Sequence, residues 1–345
     1  MEFHRIVSDG VAHHSYFLAD GGEAVVIDPR RDVDVYLDLA RALGVRIRFV
    51  LETHRNEDYV IGSTALREAT GAEILHSGAL DFAYGSAVAE GDEVRVGELA
   101  LRVLETPGHT DESLSYTLAD TAETTAPFGV FTGDALFMGD TGRTDLYGEA
   151  EAERLARTLH ASLFEKLLPL GDGVLLFPAH GSGSVCGGDI ARRNHSSVGF
   201  ERLHNEKLVA DRETFVAMKT GERHLVPPYF RRMEEWNQRG NAPVHLRVPT
   251  PPPLSPGELA ERMDGGAVAI DARMPQAFAG GHVPGSLNIW AGGLAAYLGW
   301  TVSPGTEIVL VLPEHASVEA VTRTLLRIGY DEIGGVLRGG FESWQ

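Results

Sequence analysis

The chain has 345 residues, 43% of them hydrophobic, which fits a globular protein of two domains better than one of a single domain. Its formal net charge of −19 repels nucleic acid and anionic membranes, and no segment reaches the ~18 consecutive apolar residues of a membrane helix, so neither partner is expected. Because the chain has one cysteine, an intrachain disulfide and a thiolate metal cluster are excluded. The N-terminus shows no signal-peptide pattern, and a cytoplasmic protein is therefore expected.

The first half of the chain alternates strand-like and helix-like segments. Short apolar runs predict buried strands at 23–29, 46–53, 98–106, 128–134 and 173–180. Helical spacing of apolar residues predicts helices at 32–44, 62–71 and 152–170. The first of these helices is expected to end at Gly44, a C-cap. This alternation predicts an α/β fold in which polar residues just after strands form the site.

A break in the pattern comes at residues 241–259, which read NAPVHLRVPTPPPLSPGEL. Three consecutive prolines cannot continue a helix or a central strand, and they favour a semi-rigid spacer. Beyond it, SPGELAERM predicts a new helix and AVAIDAR a new buried strand. The sequence therefore predicts a first domain at 1–245, a proline-rich linker at 246–256 and a second domain at 257–345.

Four polar loops follow predicted strands of the first domain. They contain His54 and Asp58 in THRNED, His109 in TPGHT, Asp134 in TGD and His180 in PAHG. A lone histidine after a strand is more often a hydrogen-bonded structural residue than a metal ligand. Four such loops in one α/β chain favour a shared site instead.

The order and spacing of these motifs resemble the metallo-β-lactamase family over the first domain. The resemblance implies an αββα sandwich whose usual motif is H-x-H-x-D-H, followed by one His, one Asp and one last His. In the family's hydrolases the positions that hold the first metal are 54, 56 and 109, those of the second are 58, 59 and 180, and that of the bridging carboxylate is 134. The second domain adds a smaller α/β unit to this fold.

Two of those positions carry other residues in this chain. Asn56 and Tyr59 replace histidines, so each metal has lost one imidazole, and neither an amide nor a phenol substitutes for it toward zinc. A two-zinc hydrolase is therefore compromised. His54, His109 and Asp134 remain, and two imidazoles with one carboxylate form the set of non-haem Fe(II) oxygenases, which leaves neighbouring positions open.

The chain resembles the persulfide dioxygenase branch of this family, in which residues matching His54, His109 and Asp134 hold a single iron. The resemblance implies a mononuclear Fe(II) enzyme that oxidises a low-molecular-weight persulfide, such as glutathione persulfide, with O₂ to sulfite and thiol. Two alternatives stay open. One is a zinc hydrolase of thioesters or lactones, like glyoxalase II, and the other is a non-catalytic binding module of a sulfur pathway.

Four polar residues near the predicted iron are expected to support it without binding it. Asp58 and His180 would orient ligands or water. Tyr59 would cap the emptied second metal position or pack in the core, and Asn56 is a tolerated departure from the motif.

Two residues are candidates to contact the substrate. Arg143 would bind an anion through its guanidinium, and the alternative is an Arg143–Asp145 pair that only shapes its loop. Cys186 lies in a glycine- and serine-rich loop that could expose a thiol for sulfur exchange, and the alternative is a buried, small apolar residue. No catalytic residue is predicted beyond the metal ligands.

The second domain resembles the rhodanese family in AIDARMPQAFAGGHVPGSLNI (269–289) and IGYDEIGGVLRGGFESW (328–344). The catalytic cysteine of that family would follow the strand EIVLVL, and its position here is Leu312. A persulfide cannot form on leucine, so this domain is predicted to be catalytically inactive. The roles left for it are to pack on the first domain, to narrow the entrance to the site or to make the contacts of a homodimer.

Overall fold

The first domain is built on two β-sheets, and the computed structural model describes all 345 residues of the chain. The strands of the first sheet, in spatial and chain order, are β1 (Glu2–Ser8), β2 (His13–Asp20), β3 (Glu23–Ile27), β4 (Arg46–Leu51), β5 (Glu73–Ser77) and β6 (Ser86–Val88). Strands β1 to β3 pair antiparallel, whereas β4, β5 and β6 join in parallel.

The second sheet has five strands in the spatial order β11-β10-β9-β8-β7. Their ranges are β7 (Glu93–Val96), β8 (Leu99–Glu105), β9 (Leu114–Asp120), β10 (Gly129–Gly133) and β11 (Leu175–Pro178). Strands β7 to β10 pair antiparallel, and β11 lies parallel to β10. The five strands predicted from apolar runs in the first domain are all present as β3, β4, β8, β10 and β11.

The two sheets pack face to face with helices on both outer faces. In β3, Val25 and Ile27 point toward the second sheet, while Ala24 and Val26 point toward the helices. Side chains alternate between the two faces of a strand, so the unbroken apolar run of β3 reflects burial on both sides. The αββα sandwich expected from the sequence is confirmed.

Seven helices cover this sandwich. They are α1 (Asp34–Leu43), α2 (Ser63–Thr70), α3 (Glu149–Ala161), α4 (Val198–His204), α5 (Glu206–Val209), α6 (Arg212–Gly221) and α7 (Phe230–Arg239). Tyr36 of α1 and Leu66 of α2 pack on the first sheet, and Leu159 of α3 and Phe215 of α6 pack on the second. Gly44 caps α1 in the left-handed conformation, as predicted.

The helix predicted at 152–170 is wrong in its C-terminal part. The α-helical pitch ends at Ala161, a π-helical turn follows over Ser162–Leu167, and a 3₁₀ turn closes the segment at Leu168–Leu170. Pro169 has no N–H to donate to an α-helical hydrogen bond. The spacing of apolar residues in this segment predicts which face is buried, but it does not predict the change from an α-helix to π-helical and 3₁₀ turns.

The second domain contains a third sheet, in the order β12-β16-β15-β13-β14, and four helices. The strands are β12 (Pro253–Leu254), β13 (Val268–Asp271), β14 (Leu287–Asn288), β15 (Ile308–Val311) and β16 (Ile333–Leu337). The helices are α8 (Pro256–Asp264), α9 (Pro275–Gly280), α10 (Leu294–Thr301) and α11 (Val318–Arg327). Part of the predicted linker is therefore strand, because β12 pairs with β16 at the sheet edge, where proline is tolerated.

The two domains share a hydrophobic core. Val60, Tyr229 and Met233 of the first domain belong to the same buried cluster as Leu325 and Ile328 of the second. The second domain is thus packed on the first through an apolar interface, which is one of the roles left open for it. Every helix of the chain falls short of the length or the hydrophobicity that a bilayer-crossing segment requires.

Candidate metal centre

Three predicted ligands converge in the loops that follow β4, β8 and β10. The donor atoms of His54, His109 and Asp134 all lie within 4.8 Å of one another. Asp134 Oδ2 is 3.7 Å from His54 Nε2 and 3.5 Å from His109 Nε2. Their side chains are at most 2% exposed. The strand ends therefore bring the three residues together, as the positions of the motifs predict.

Hydrogen bonds fix which nitrogen of each imidazole faces the centre. Thr53 Oγ1 donates its hydrogen to Asp28, so at 2.9 Å from His54 Nδ1 it accepts from that nitrogen. His109 Nδ1 donates to the Arg143 carbonyl oxygen at 3.0 Å. Each Nε2 then presents a lone pair, and both are buried without a hydrogen-bond partner. Facing a carboxylate, these lone pairs require a cation or a proton, so the residues fit a divalent metal.

His180 orients the carboxylate of this group. Its Nδ1 lies 2.8 Å and 3.0 Å from the two oxygens of Asp134, and its Nε2 lies 3.0 Å from Asp58 Oδ2. Burial lowers the pKa of His180, but the two carboxylates outweigh it and raise that pKa well above the usual value. Burial likewise raises the pKa of Asp134, but His180 and the two other imidazoles bring it well below its ordinary range. An ionised Asp134 is thus held ready for a cation.

Asn56 and Tyr59 are both buried, and their contacts are with the backbone of their own loop and with His13. Asn56 Nδ2 donates to the carbonyl oxygen of His54 at 3.2 Å, within its own loop. The ring of Tyr59 is fully buried and packs 4.0 Å from that of His13, and its hydroxyl has no partner. Neither side chain replaces the histidine that the hydrolase motif has at its position.

A second group of donors lies beside the first. Asp58, His180 and Cys186 are all buried, and their donor atoms lie within 4.8 Å of one another. A single cysteine cannot form a thiolate cluster, but it can join ligands of other types, as the donors of this group would allow. Asp58 and His180 form an ion pair at 3.0 Å, while both oxygens of Asp58 and Nε2 of His180 lack a well-directed hydrogen bond.

The loop of Cys186 does not expose its thiol, so of the two interpretations the structure favours the buried, small apolar residue. The side chain is fully buried against Phe137 and Ile190, and burial raises the pKa of the thiol well above its usual value. The loop folds inward because Asp140 Oδ2 accepts hydrogen bonds from the N–H groups of Gly188 and Asp189. Glycine and serine content in the sequence suggested mobility, whereas a carboxylate from another loop fixes the segment.

Arg143 is also fully buried, and its hydrogen bonds favour the loop-shaping alternative over substrate binding. Its Nε and Nη2 donate to Asp145 at 2.6 Å and 2.9 Å. Its Nη1 donates to the carbonyl oxygens of Val185 and Leu225 at 3.3 Å and 3.1 Å. Four of the five guanidinium donors are thus committed within the protein.

Glu57 is a residue of the site that the sequence analysis did not assign. It is fully buried, and its Oε1 lies 3.4 Å from His109 Nε2 and 3.5 Å from the thiol of Cys186. Burial raises the pKa of Glu57, but His109 outweighs it and lowers that pKa to about 2. The sequence signal that could have identified Glu57 is its place inside the motif HRNED, next to Asp58, a predicted residue of the metal site.

The second domain keeps a cavity at the position of the absent nucleophile. A space of about 450 Å³ lies beside Leu312 and Pro313, at the end of β15. The charged residues in its lining are Glu314 and Glu342. Without a thiol or a cationic group, this cavity offers neither a nucleophile nor a binding site for an anionic sulfur donor.

Known proteins resemble the chain in two segments. The family model described as the metallo-beta-lactamase superfamily matches residues 8–180, and that described as a rhodanese-like domain matches residues 255–345. The mitochondrial persulfide dioxygenase ETHE1 of Mus musculus is 31% identical over 211 residues, which cover 59% of this chain and 74% of that protein. A hydroxyacylglutathione hydrolase of Anaeromyxobacter dehalogenans is 35% identical over 173 residues, which cover 50% of this chain and 62% of that protein.

Solved structures resemble the chain over one or both domains. The crystal structure of a metallo-beta-lactamase from Staphylococcus aureus covers 98% of this chain and 98% of its own, with 30% identity and a TM-score of 0.85. That of ETHE1 from Myxococcus xanthus covers 69% of this chain and 98% of its own, with 32% identity and a TM-score of 0.61. The first match shows that the two domains occur together in another protein.

We predict that His109→Ala weakens the binding of a divalent metal, whereas Tyr59→Phe does not. Loss of a residue that only hydrogen-bonds to a metal ligand lowers metal affinity roughly 10- to 100-fold. Loss of the imidazole ligand itself should lower the affinity by at least as much. Removal of the unpartnered Tyr59 hydroxyl leaves the three donors in place. Competition titration against a chromophoric chelator measures both. Equal affinities for His109→Ala and the parent protein would contradict the site.

We predict that the thiol of Cys186 is protected in the folded protein. A buried thiol with a raised pKa should react with a disulfide reagent far more slowly than the same thiol in denaturant, because little thiolate is present or accessible. With one cysteine in the chain, the absorbance of the released chromophore reports this residue alone. Comparable rates in the two states would show that the loop opens and exposes Cys186.

Proposed function

Because this chain belongs to the metallo-beta-lactamase superfamily and ends in a rhodanese-like domain, we propose that it is a mononuclear iron persulfide dioxygenase. The proposed reaction converts one low-molecular-weight persulfide, one O₂ and one water into one thiol, one sulfite and two protons. Glutathione persulfide is a candidate substrate. The ligands of the ferrous ion would be His54, His109 and Asp134.

The observation that carries this proposal is the set of donors that remains. Two unpartnered imidazole nitrogens and one carboxylate oxygen converge, and the residues at 56 and 59 are an amide and a phenol in place of imidazoles. This donor set favours one ion with open positions over a pair of zinc ions. Iron bound there would supply the redox chemistry with O₂. The persulfide dioxygenases among the relatives support the same reaction class.

The protein's own residues would position the donors and exclude water. The backbone carbonyl of Arg143 holds the ring of His109, and Thr53 holds that of His54. His180 holds the carboxylate of Asp134 through both of its oxygens. Since the ligands are almost completely buried, they are preorganised in a site that bulk water does not enter.

A cavity next to His180 is a candidate approach for the carrier of the persulfide. It has a volume of about 370 Å³ and is lined by His14, Gly181, Arg192 and Arg193 among others. Arg193 pairs with Glu201, whereas Arg192 makes no ion pair. A free guanidinium in a chain of net charge −19 suits an anionic thiol, such as one that carries carboxylates.

A zinc hydrolase of thioesters or lactones is the second candidate function. Hydroxyacylglutathione hydrolases are among the relatives, and the group of Asp58, His180 and Cys186 could hold a further metal. Such an enzyme would use a zinc-activated water. The third candidate, a non-catalytic binding module, draws its support from the rhodanese-like domain without its cysteine.

We propose in addition that the partners are small molecules, a persulfide and O₂, in the cytoplasm. The strongly negative charge opposes contact with nucleic acid or with anionic membranes. A homodimer built through the second domain also remains a proposal. The limits of the two domains, at residues 245 and 257, are proposed from the proline-rich break in the sequence.

The proposed function predicts iron and persulfide-dependent O₂ uptake in anaerobically purified protein. Metal analysis should find one iron per chain, and an oxygen electrode should record uptake on addition of glutathione persulfide, with one sulfite released per O₂. His109→Ala should abolish both because it removes an iron ligand. Zinc with thioester turnover and no O₂ uptake would favour the hydrolase. A protein without bound metal or turnover would favour the binding module.

A further inference from the structure

The loop between β4 and α2 is held by one distant side chain, Asn237 of α7. Asn237 is 2% exposed. Its Nδ2 donates to the carbonyl oxygens of Asn56 at 2.6 Å and Tyr59 at 2.8 Å, and its Oδ1 accepts from the N–H of Ile61 at 3.0 Å. Every polar atom of this amide is therefore used on one loop, the loop that begins with His54.

Two further contacts hold the same loop from outside. The hydroxyl of Tyr229 donates to the carbonyl oxygen of Asp58 at 3.3 Å. The N–H of Val60 donates to the carbonyl oxygen of Arg327 at 2.8 Å, at the last residue of α11. Five backbone groups between residues 56 and 61 are thus bonded by α7 with its N-cap residue and by the rhodanese-like domain, and not by regular secondary structure.

Ion pairs with the first domain fix the position of α11, a helix of the rhodanese-like domain. Arg327 Nε and Nη2 each lie 2.8 Å from an oxygen of the buried Asp32, and Arg323 reaches the same carboxylate at 2.8 Å. Arg31 of the first domain pairs with Asp331 at 2.6 Å. Charged groups buried in this way are expensive to separate, so the end of α11 is held firmly against the loop.

We propose that Asn237, backed by α11 of the rhodanese-like domain, is a positioning residue for the metal centre. Asn56 and Tyr59 make no contact that would tie the loop to a metal, so the loop must keep His54 in register by other means. The amide of Asn237 supplies that constraint. In this account the rhodanese-like domain, which lacks its family's cysteine, is retained because it packs against the loop that carries His54 and stabilises its conformation.

The proposal rests on the metal site described above, and the test uses Co²⁺ as a probe in the full-length protein. Asn237→Asp keeps the size of the side chain and the acceptor for Ile61, but places an oxygen against the carbonyls of Asn56 and Tyr59. Asn288→Asp is the matched control, because Asn288 Nδ2 also donates to two backbone carbonyls, those of Asp271 and Arg273.

Affinity for Co²⁺, its visible absorption spectrum and thermal unfolding are measured together. Asn237→Asp should weaken Co²⁺ binding by about 10-fold or more and alter the spectrum. The control should lower thermal stability and leave the affinity and the spectrum of the bound ion unchanged. Lower thermal stability of Asn237→Asp with an unchanged affinity and spectrum would overturn the proposal, since the residue would then be only structural.

Tyr229→Phe gives a second, milder variant in case Asn237→Asp does not fold. It removes one hydrogen bond to the loop, and a loss of about 2- to 10-fold in Co²⁺ affinity is expected. Parent and variants that bind Co²⁺ equally would overturn the positioning role alone. A parent protein that binds no Co²⁺ would overturn the metal site as well, so the two failures are distinguishable.

Discussion

Two buried imidazole nitrogens without hydrogen-bond partners face a buried carboxylate that His180 holds through both oxygens, and the rest of the site depends on this constraint. An unpaired buried polar group costs about 1–3 kcal/mol, and a buried charge costs more. Thr53 and the carbonyl of Arg143 set the tautomers of the two rings, and His180 keeps Asp134 ionised. A single bound cation would pair with both imidazole nitrogens and with the charge of Asp134, and so would offset these unfavourable free energies.

The second domain lacks the cysteine of its family but makes extensive contacts with the first. Leu312 replaces the residue that would carry sulfur, yet the domain contributes 15 of the 20 residues of a core shared with the first domain, and several buried ion pairs. The ion pairs end on Arg31 and Asp32. Val60, in the loop that carries His54, packs in the shared core, and its N–H donates to the carbonyl oxygen of Arg327. The surface that the second domain packs against the first is therefore a structural contribution that needs no cysteine.

The sequence predicted the parts of the structure that local pattern determines. Buried strands and the residues just after them could be placed because apolar runs and polar loops are adjacent in the chain. The environments of Cys186 and Arg143 could not, because Asp140 and Leu225 reach them from other segments. Asn237 was missed for the same reason, since its helix lies far along the chain from the loop that it holds. The four helices between residues 198 and 239 carry few long apolar runs, and no element was predicted there.

X-ray absorption at the iron edge of anaerobically loaded protein tests the central claim most directly, because it reports the atoms around the ion. The account predicts nitrogen and oxygen ligands only, with the outer-shell scattering of two imidazoles and no neighbouring metal. A sulfur ligand from Cys186, or a second metal close to the first, would contradict it.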